Sequence, residues 1–370
     1  MIIGWLEVSL LVRWLLGWLL GWILALSLPS LPASMPLHQR TVSVLIPARN
    51  EAATLPKLLA ALSNQVLRPA EVIVVDDDSS DGTATIARQS ADTLAIKVIQ
   101  PPPLPEGWCD KTWALHHGVQ ASRGDVLVFL DADTEPAPQF LQRLLAQHEQ
   151  QGGLVSVQPY HRTEKPYEQL SLLFSLVGLM AVRLGPSCGV AFGPAMVSSR
   201  ADYLLAGGHE AVADKVVEDW FLAHRYEQLG LPVSAWLGSD SIAYRMYPGG
   251  LADMVAGFDK NFATEAGEVR WPWMLAMLLW LSGLFWAAWC LPAALLGWPL
   301  VGTHAIGPNA LIYGAFAVQL LLLSRGVGRF HWINLIFPIP VLFFLGVFIL
   351  AIFKLERGHV EWKGRRFKTR

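Results

Sequence analysis

Asp131-Ala132-Asp133 places two carboxylates two residues apart, directly after the apolar run Val126-Leu-Val-Phe-Leu130. Side chains two apart on an extended segment point the same way, so both can reach one divalent cation that also holds phosphate oxygens. An all-oxygen site of this kind suits Mg²⁺ or Mn²⁺. The plain alternative is a solvated turn after a buried strand. Two more polar clusters share the pattern of following an apolar run: Pro47-Ala-Arg-Asn-Glu51, and Asp76-Asp-Asp-Ser-Ser-Asp-Gly-Thr83. Lys111, in Gly107-Trp-Cys-Asp-Lys-Thr-Trp-Ala114, enters a helix from a loop, where free N–H groups and a cation together favour an anion. Local packing of Trp108 and Trp113 around a solvated lysine is the alternative. Glu218-Asp219 opens a further helix, a placement that the helix dipole favours in any case.

These clusters need a scaffold that brings them to one edge. From Thr41 short β-rich runs alternate with helical stretches: a strand Val42–Ile46, a helix to about Gln65, a strand Glu71–Val75, a helix Thr83–Ala91. Strand-helix alternation implies a parallel sheet, and apolar runs without alternation imply strands covered on both faces. Ligands of such sheets bind beyond the carboxyl ends of the strands. Three strands deliver carboxylates there, and unpaired carboxylates repel unless a cation or hydrogen-bond donors are present. For each cluster alone, turn and capping chemistry suffice; Asp81 or Ser80 would cap the helix after Gly82.

Val42-Ser-Val-Leu-Ile-Pro-Ala-Arg-Asn-Glu51, Val74-Val-Asp-Asp-Asp-Ser-Ser-Asp-Gly-Thr83 and Asp131-Ala-Asp133 resemble, in order and spacing, the signatures of family 2 glycosyltransferases with the GT-A fold. The likeness runs over roughly residues 41 to 265. It implies an α/β, Rossmann-like catalytic domain with a mostly parallel sheet, and a nucleotide-diphospho-sugar donor. Glu51 and Asp76 or Asp77 would lie near the nucleoside, Pro47 and Arg49 would also bind the substrate, and Asp131 and Asp133 would lie near the cation and diphosphate. Where the family usually has glycine, this chain has Asp78. Val216-Val-Glu-Asp-Trp220 matches the family's Glu-Asp motif, in which the aspartate is the general base, which implies catalytic roles for Asp219 and Glu218. Gly189-Val-Ala-Phe-Gly-Pro194 resembles the acceptor-side loop, and the segment around Lys111 resembles one in members that glycosylate membrane lipids. Arg245, Lys260 and Arg270 are candidates to contact donor phosphates or lipid headgroups. Polymer-forming members carry Gln-x-x-Arg-Trp before the membrane; here Arg270-Trp271 remains and Gly267 replaces the glutamine, which weakens a processive polysaccharide synthase.

Charged residues make up 16% of the 370 residues, with a net charge of -2 and a mean hydropathy of +0.38. This balance argues against a nucleic-acid partner and for a polar domain between membrane segments. Residues 1–28 read as a retained membrane anchor: Trp14, Trp18 and Trp22 recur every four residues, and Gly17 and Gly21 form a small face suited to helix packing. A cleaved signal peptide is the alternative, against which the long tryptophan-rich apolar stretch speaks. Residues 29–40, with Pro29, Pro32 and Pro36, form a linker, 41–265 the catalytic domain, 266–355 a C-terminal transmembrane region, and 356–370 a basic cytoplasmic tail. Tyr167 to Leu184 is read as either an interfacial or a buried helix. The spans expected at the C-terminal end are Trp271–Leu291, about Ala310–Leu323 and Trp332–Phe353. With one N-terminal span this count conflicts with a cytoplasmic tail, so one stretch is expected to be re-entrant, with Pro338 and Pro340 at the break. Cys109, Cys188 and Cys290 are scattered and read as reduced and structural.

Together these features resemble the lipid-glycosylating branch, including bacterial carotenoid and hopanoid-associated glycosyltransferases. They imply a lipid acceptor, a bilayer as partner, and a bacterial inner or thylakoid-type membrane with the catalytic domain cytoplasmic. From another class, a nucleotide-sugar-binding membrane protein without catalysis would keep the fold but has no need of intact Asp131, Asp133 and Asp219.

Overall fold

The computed structural model describes residues 2–26, 28–33, 40–90, 94–182, 184–265, 271–298, 306–355, 359–362 and 365–368, with backbone alone for 2–11, 259–265, 352–355 and the last two segments. The chain opens with α1 (Ile2–Ala25). It divides into two compact units: Pro29–His161 with Leu184–Arg245, and Met1–Leu28 with Arg162–Arg183 and Met246–Arg370.

In the first unit the alternation expected from the sequence is present: β1 (Val42–Ala48), α2 (Leu55–Ser63), β2 (Glu71–Asp76), α3 (Thr83–Gln89), β3 (Ile96–Ile99), α4 (Asp110–Ala121), β4 (Val126–Leu130), β5 (Thr134–Pro136), α5 (Phe140–Gln151), β6 (Leu154–Gln158) and β7 (Tyr160–His161). After α6 (Leu172–Ala181), which belongs to the other unit, come β8 (Ala195–Ser199), α7 (Arg200–Leu205), α8 (Glu218–Gln228), β9 (Val233–Leu237) and β10 (Ile242–Tyr244). The main sheet runs β3-β2-β1-β4-β8-β6-β9. Its pairs are parallel except at β8, which is antiparallel to both β4 and β6.

The continuous apolar strands are continuous because both faces are covered. Val42, Val44, Ile46, Val74 and Val128 pack toward Leu55, Leu58, Phe140 and Leu144 of α2 and α5. The alternate residues Leu45, Ile73, Val75, Leu127 and Phe129 pack toward Leu115 of α4 and Leu222 and Tyr226 of α8. Each such fully buried Val, Leu or Phe contributes roughly 1.5–3 kcal/mol, so the sheet is a rigid platform for the loops at its carboxyl edge. The small sheet β5-β10-β7 lies outside the sequence-based expectation, since strands of two or three residues carry no periodic signal.

In the second unit, α6 is the buried one of the two forms expected for Tyr167–Leu184. A 3₁₀ turn at Pro166–Ser171 precedes it, and Phe174 stacks on Phe258 at 4.0 Å and meets Phe344 at 4.9 Å. The remaining helices are α9 (Leu251–Glu265), α10 (Trp271–Leu295), α11 (Ile306–Ser324) and α12 (Pro338–Leu355). Among the described residues, α10 and α11 are long and apolar enough to cross a bilayer. The third expected stretch starts later than Trp332: Trp332–Asn334 is a 3₁₀ turn, and Pro338 and Pro340 lie in the first turn of α12, where proline does not interrupt a helix. β11 (His359–Trp362) and β12 (Arg365–Lys368) pair antiparallel.

Gly17 and Gly21 do form the close face expected of them. A Cβ at Gly17 would lie 2.9 Å from the Leu279 carbonyl oxygen, and one at Gly21 would lie 2.5 Å from Trp280 Nε1. The space is used for hydrogen bonds between helices. Trp280 Nε1 donates to Gln319 Oε1 at 3.0 Å, Gln319 Nε2 donates to the Trp18 carbonyl at 2.7 Å, and Trp18 Nε1 donates to the Ala315 carbonyl at 3.1 Å. Gln319 is fully buried, so this network leaves neither end of its amide unpaired in an apolar interior.

Candidate active site

The loops after β1 and β2 lock to each other by side-chain contacts. Asn50 N donates to Ser79 Oγ and Ser80 N donates to Asn50 Oδ1, at 3.0 and 2.9 Å. Asn50 has φ 56° and Asp78 φ 55°. This left-handed geometry accounts for the glycine common at the second position, and aspartate is among the side chains that tolerate it best. Asp81 reaches Thr83 N at 3.1 Å from one residue before the N-cap, which is Gly82, so the expected capping is delivered from outside the helix.

Arg49 donates to Asp77 Oδ2 at 3.0 Å and lies 3.7 Å from Asp110 Oδ2 at the start of α4. Pro47 pairs with Val75 across β1 and β2, beyond the last β1–β4 pair at Leu45 and Phe129. Glu51 Oε2 accepts from Thr54 Oγ1 at 2.5 Å. Asp76 is 1% exposed; Oδ2 accepts from Gln100 Nε2 at 3.1 Å, and Oδ1 has no partner among the described residues.

Asp131–Asp133 is a turn rather than an extended segment: Thr134 N donates to the Asp131 carbonyl at 3.1 Å. The two carboxylates nevertheless act on each other. Burial, then Asp131 and Glu51, push the Asp133 carboxyl up to about 7. No group of three or more metal-ligating side chains occurs among the described residues. A buried carboxylate with a second carboxylate acting on it fits a hard divalent cation, with other oxygens left to complete its shell.

Lys111 differs most from its expected setting. Its Nζ lies 2.8 Å from Asp131 Oδ1 and 2.9 Å from Glu218 Oε1. Burial opposes its charge, but Asp131, Glu218 and Asp219 outweigh that and raise its pKa, while Lys111 in turn holds the buried Glu218 below the usual carboxylate range. The start of α4 is fixed for this contact because Cys109 N and Thr112 Oγ1 donate to the Ala213 carbonyl, at 2.7 and 2.8 Å. Tyr226 fixes α8 from beneath, its hydroxyl 2.7 Å from Ser198 Oγ on β8.

Asp219 Oδ2 accepts from Gly193 N at 2.6 Å and Oδ1 from Trp220 N at 2.9 Å. Burial and the Glu218 charge push its carboxyl up to about 6, against the pull of Lys111 and the two N–H groups. A Cβ at Gly193 would lie 2.9 Å from Lys111 Nζ and 3.1 Å from Asp219 Oδ2, so only glycine leaves this ion cluster undisturbed. Behind it, His209 is fully buried, its Nδ1 2.8 Å from the Tyr203 hydroxyl, and burial pushes its pKa down to about 4.

Residues 43–189 match the family model described as Glycosyl transferase family 2. A 4,4'-diaponeurosporenoate glycosyltransferase of Staphylococcus haemolyticus is 35% identical over 90% of this chain and 89% of its own, and one of Staphylococcus aureus is 32% identical over 89% of each. The chain belongs to glycosyltransferase family 2. The fold of this glycosyltransferase is GT-A: it superposes on a Pyrobaculum calidifontis mannosyltransferase, solved with GDP-Man and Mn²⁺, with a TM-score of 0.56 over 95% of this chain and 99% of that one, at 19% identity.

The glycosyltransferase thus brings Lys111, Asp131, Glu218 and Asp219 into one cluster, and Arg49 and Asp77 into a second that meets Asp110, the residue before Lys111. The other predicted residues are distributed differently. Trp271 begins α10 and is 71% exposed, Lys260 falls within α9 where the backbone alone is described, and Arg270 lies outside the described residues. Gly193 acts through a backbone N–H and a missing Cβ, which leave no side-chain signature. All three cysteines are free thiols.

Proposed function

We propose that this glycosyltransferase moves a hexose, with inversion, from a nucleotide-diphospho-sugar such as a UDP-hexose to an oxygen of a membrane isoprenoid of the carotenoid type. The observation that carries the reading is Asp219. It is a buried carboxylate steadied by two backbone N–H groups, linked through Glu218 and Lys111 to Asp131 at the neighbouring strand end. The names of the Staphylococcus relatives support the acceptor class, and the apolar α10 and α11 suit an acceptor dissolved in a bilayer.

Asp219 accepts the proton of an acceptor hydroxyl as its oxygen attacks the anomeric carbon, and a pKa raised toward neutrality makes it a better base for that step. Glu218, kept ionised by Lys111, fixes the α8 turn on which Asp219 sits. Arg49, Glu51, Asp76 and Asp77 hold the nucleoside, and Lys111 faces the diphosphate. A divalent cation, Mg²⁺ or Mn²⁺, held by Asp131 and Asp133 would neutralise charge on the leaving diphosphate. A carboxylate acceptor arrives already ionised, so Asp219 has a proton to remove only when the acceptor is an alcohol.

Membranes carrying the protein, given radiolabelled UDP-glucose with an isoprenoid alcohol or an isoprenoid acid, should yield lipid-soluble label that mass spectrometry assigns to a glycosylated isoprenoid. Asp219→Asn should lower transfer to the alcohol by roughly 10²–10⁴-fold while donor binding persists. Retained turnover on the alcohol in that variant would remove Asp219 as the base, and label confined to water-soluble products would remove the acceptor class.

A further inference from the structure

Lys111 does not stand free to receive a phosphate. Its ammonium is shared between Asp131 Oδ1 and Glu218 Oε1, and Gly193 leaves the space in which it sits. Asp131 is one of only two side chains assigned to the cation, so one ligand oxygen is already neutralised by a charge belonging to the protein. An ammonium against Asp131 offsets part of the negative charge that a divalent ion would meet there on its own. A nucleoside diphosphate changes this, because its phosphates attract both the lysine and the ion.

We propose that Lys111 is an exchangeable counter-cation: it holds Asp131 in the nucleotide-free protein and transfers to the diphosphate when the nucleotide enters, so that a divalent cation is taken up with the nucleotide rather than before it. The proposal rests on the reading of Asp131 and Asp133 as cation ligands. The lysine suits this exchange. Its flexible four-carbon stem lets the ammonium swing while its contact with Glu218 keeps α4 and α8 in register. When the product nucleotide departs, the ammonium returns to Asp131 and favours release of the ion. Lys111 is therefore also a positioning residue that links the occupancy of the donor site to the turn carrying Asp219.

The test is Mn²⁺ binding by the full-length protein in detergent, followed through the electron paramagnetic resonance signal of free Mn²⁺, without nucleotide and with UDP or GDP. For the wild type, nucleotide should tighten Mn²⁺ binding by about tenfold or more, and Lys111→Met should bind nucleotide-free Mn²⁺ about tenfold more tightly than the wild type. In Lys111→Met the further gain from nucleotide should shrink. Gly193→Ala keeps every charge but sets a methyl group against the ammonium, and should shift nucleotide-free binding the same way by a smaller factor. Lys97→Met removes an exposed lysine on β3 and should change nothing. If Lys111→Met binds nucleotide-free Mn²⁺ no more tightly than the wild type, or if Lys97→Met matches it, the exchange is overturned while the cation site stands. If no variant binds Mn²⁺ under any condition, the cation site itself is overturned and the exchange with it.

Discussion

Gly193 and Gly21 occupy the two units and do the same geometric work to opposite ends. At each, a Cβ would meet a nitrogen at under 3 Å: Lys111 Nζ at Gly193, Trp280 Nε1 at Gly21. At Gly193 the space admits a full positive charge among acidic groups, and the result is a cluster whose members raise or lower one another's pKa. At Gly21 the space admits an indole and an amide, and the result is a neutral network with every dipole matched. Charge clusters store unfavourable interactions that chemistry can use, whereas matched dipoles add to the stability of a packed interior. The two glycines thus serve different ends, a charge cluster in one unit and a packed helix interface in the other.

That division can be broken from the side of charge first. The proposed base, Asp219, can accept a proton only when ionised, and its carboxyl is pushed up to about 6. Transfer to an alcohol, measured as kcat/KM, should rise with pH through about 6, level off above it, and fall about tenfold per unit well below it. A flat profile from pH 5 to 8 with chemistry rate-limiting would contradict the assignment. Linkage carries the opposite sign for stability. A carboxyl raised above its unfolded value costs stability as pH rises through the folded pKa, so Asp219→Asn should raise the thermal midpoint at pH 8 while it removes activity.

The other side gives the converse. Gly21→Leu forces a branched side chain against Trp280 and Gln319 and should destabilise by about 1–3 kcal/mol or more, seen as a lower unfolding midpoint in detergent. Activity per folded molecule should hold. If activity falls with no loss of stability, the separation of roles between the units fails. The smallest effect is expected at Asp78. Asp78→Gly relieves a left-handed backbone but loosens the unfolded chain, so the two nearly cancel to within roughly 1 kcal/mol, with donor KM unchanged.

The strands β1, β2 and β4 were legible because each is an unbroken apolar run ending in acidic or polar residues, and a parallel sheet buried on both faces writes that pattern directly. The edge at which Asp76, Asp77 and Asp131 gather followed from chain direction alone. The reversed strand β8 was not legible, since an apolar run does not state its direction. Nor were the partners of Lys111. They come from a strand end and a helix start far along the chain, and long-range ion pairing leaves no local spacing to read. Gly17 and Gly21 were legible as a packing face from their spacing, but not the buried Gln319 that faces them, because a single polar residue in an apolar run does not name its partner.

The hydrogen bond from Gln319 to the Trp18 carbonyl joins residues 301 positions apart. It sets a delay during synthesis. At about 5–20 residues per second, the first helix is made some 15–60 s before the segment that completes its contacts. Through that interval its tryptophans and glycine face have nothing from α10 or α11 to meet. The first helix must therefore wait for these partners until the last third of the chain arrives.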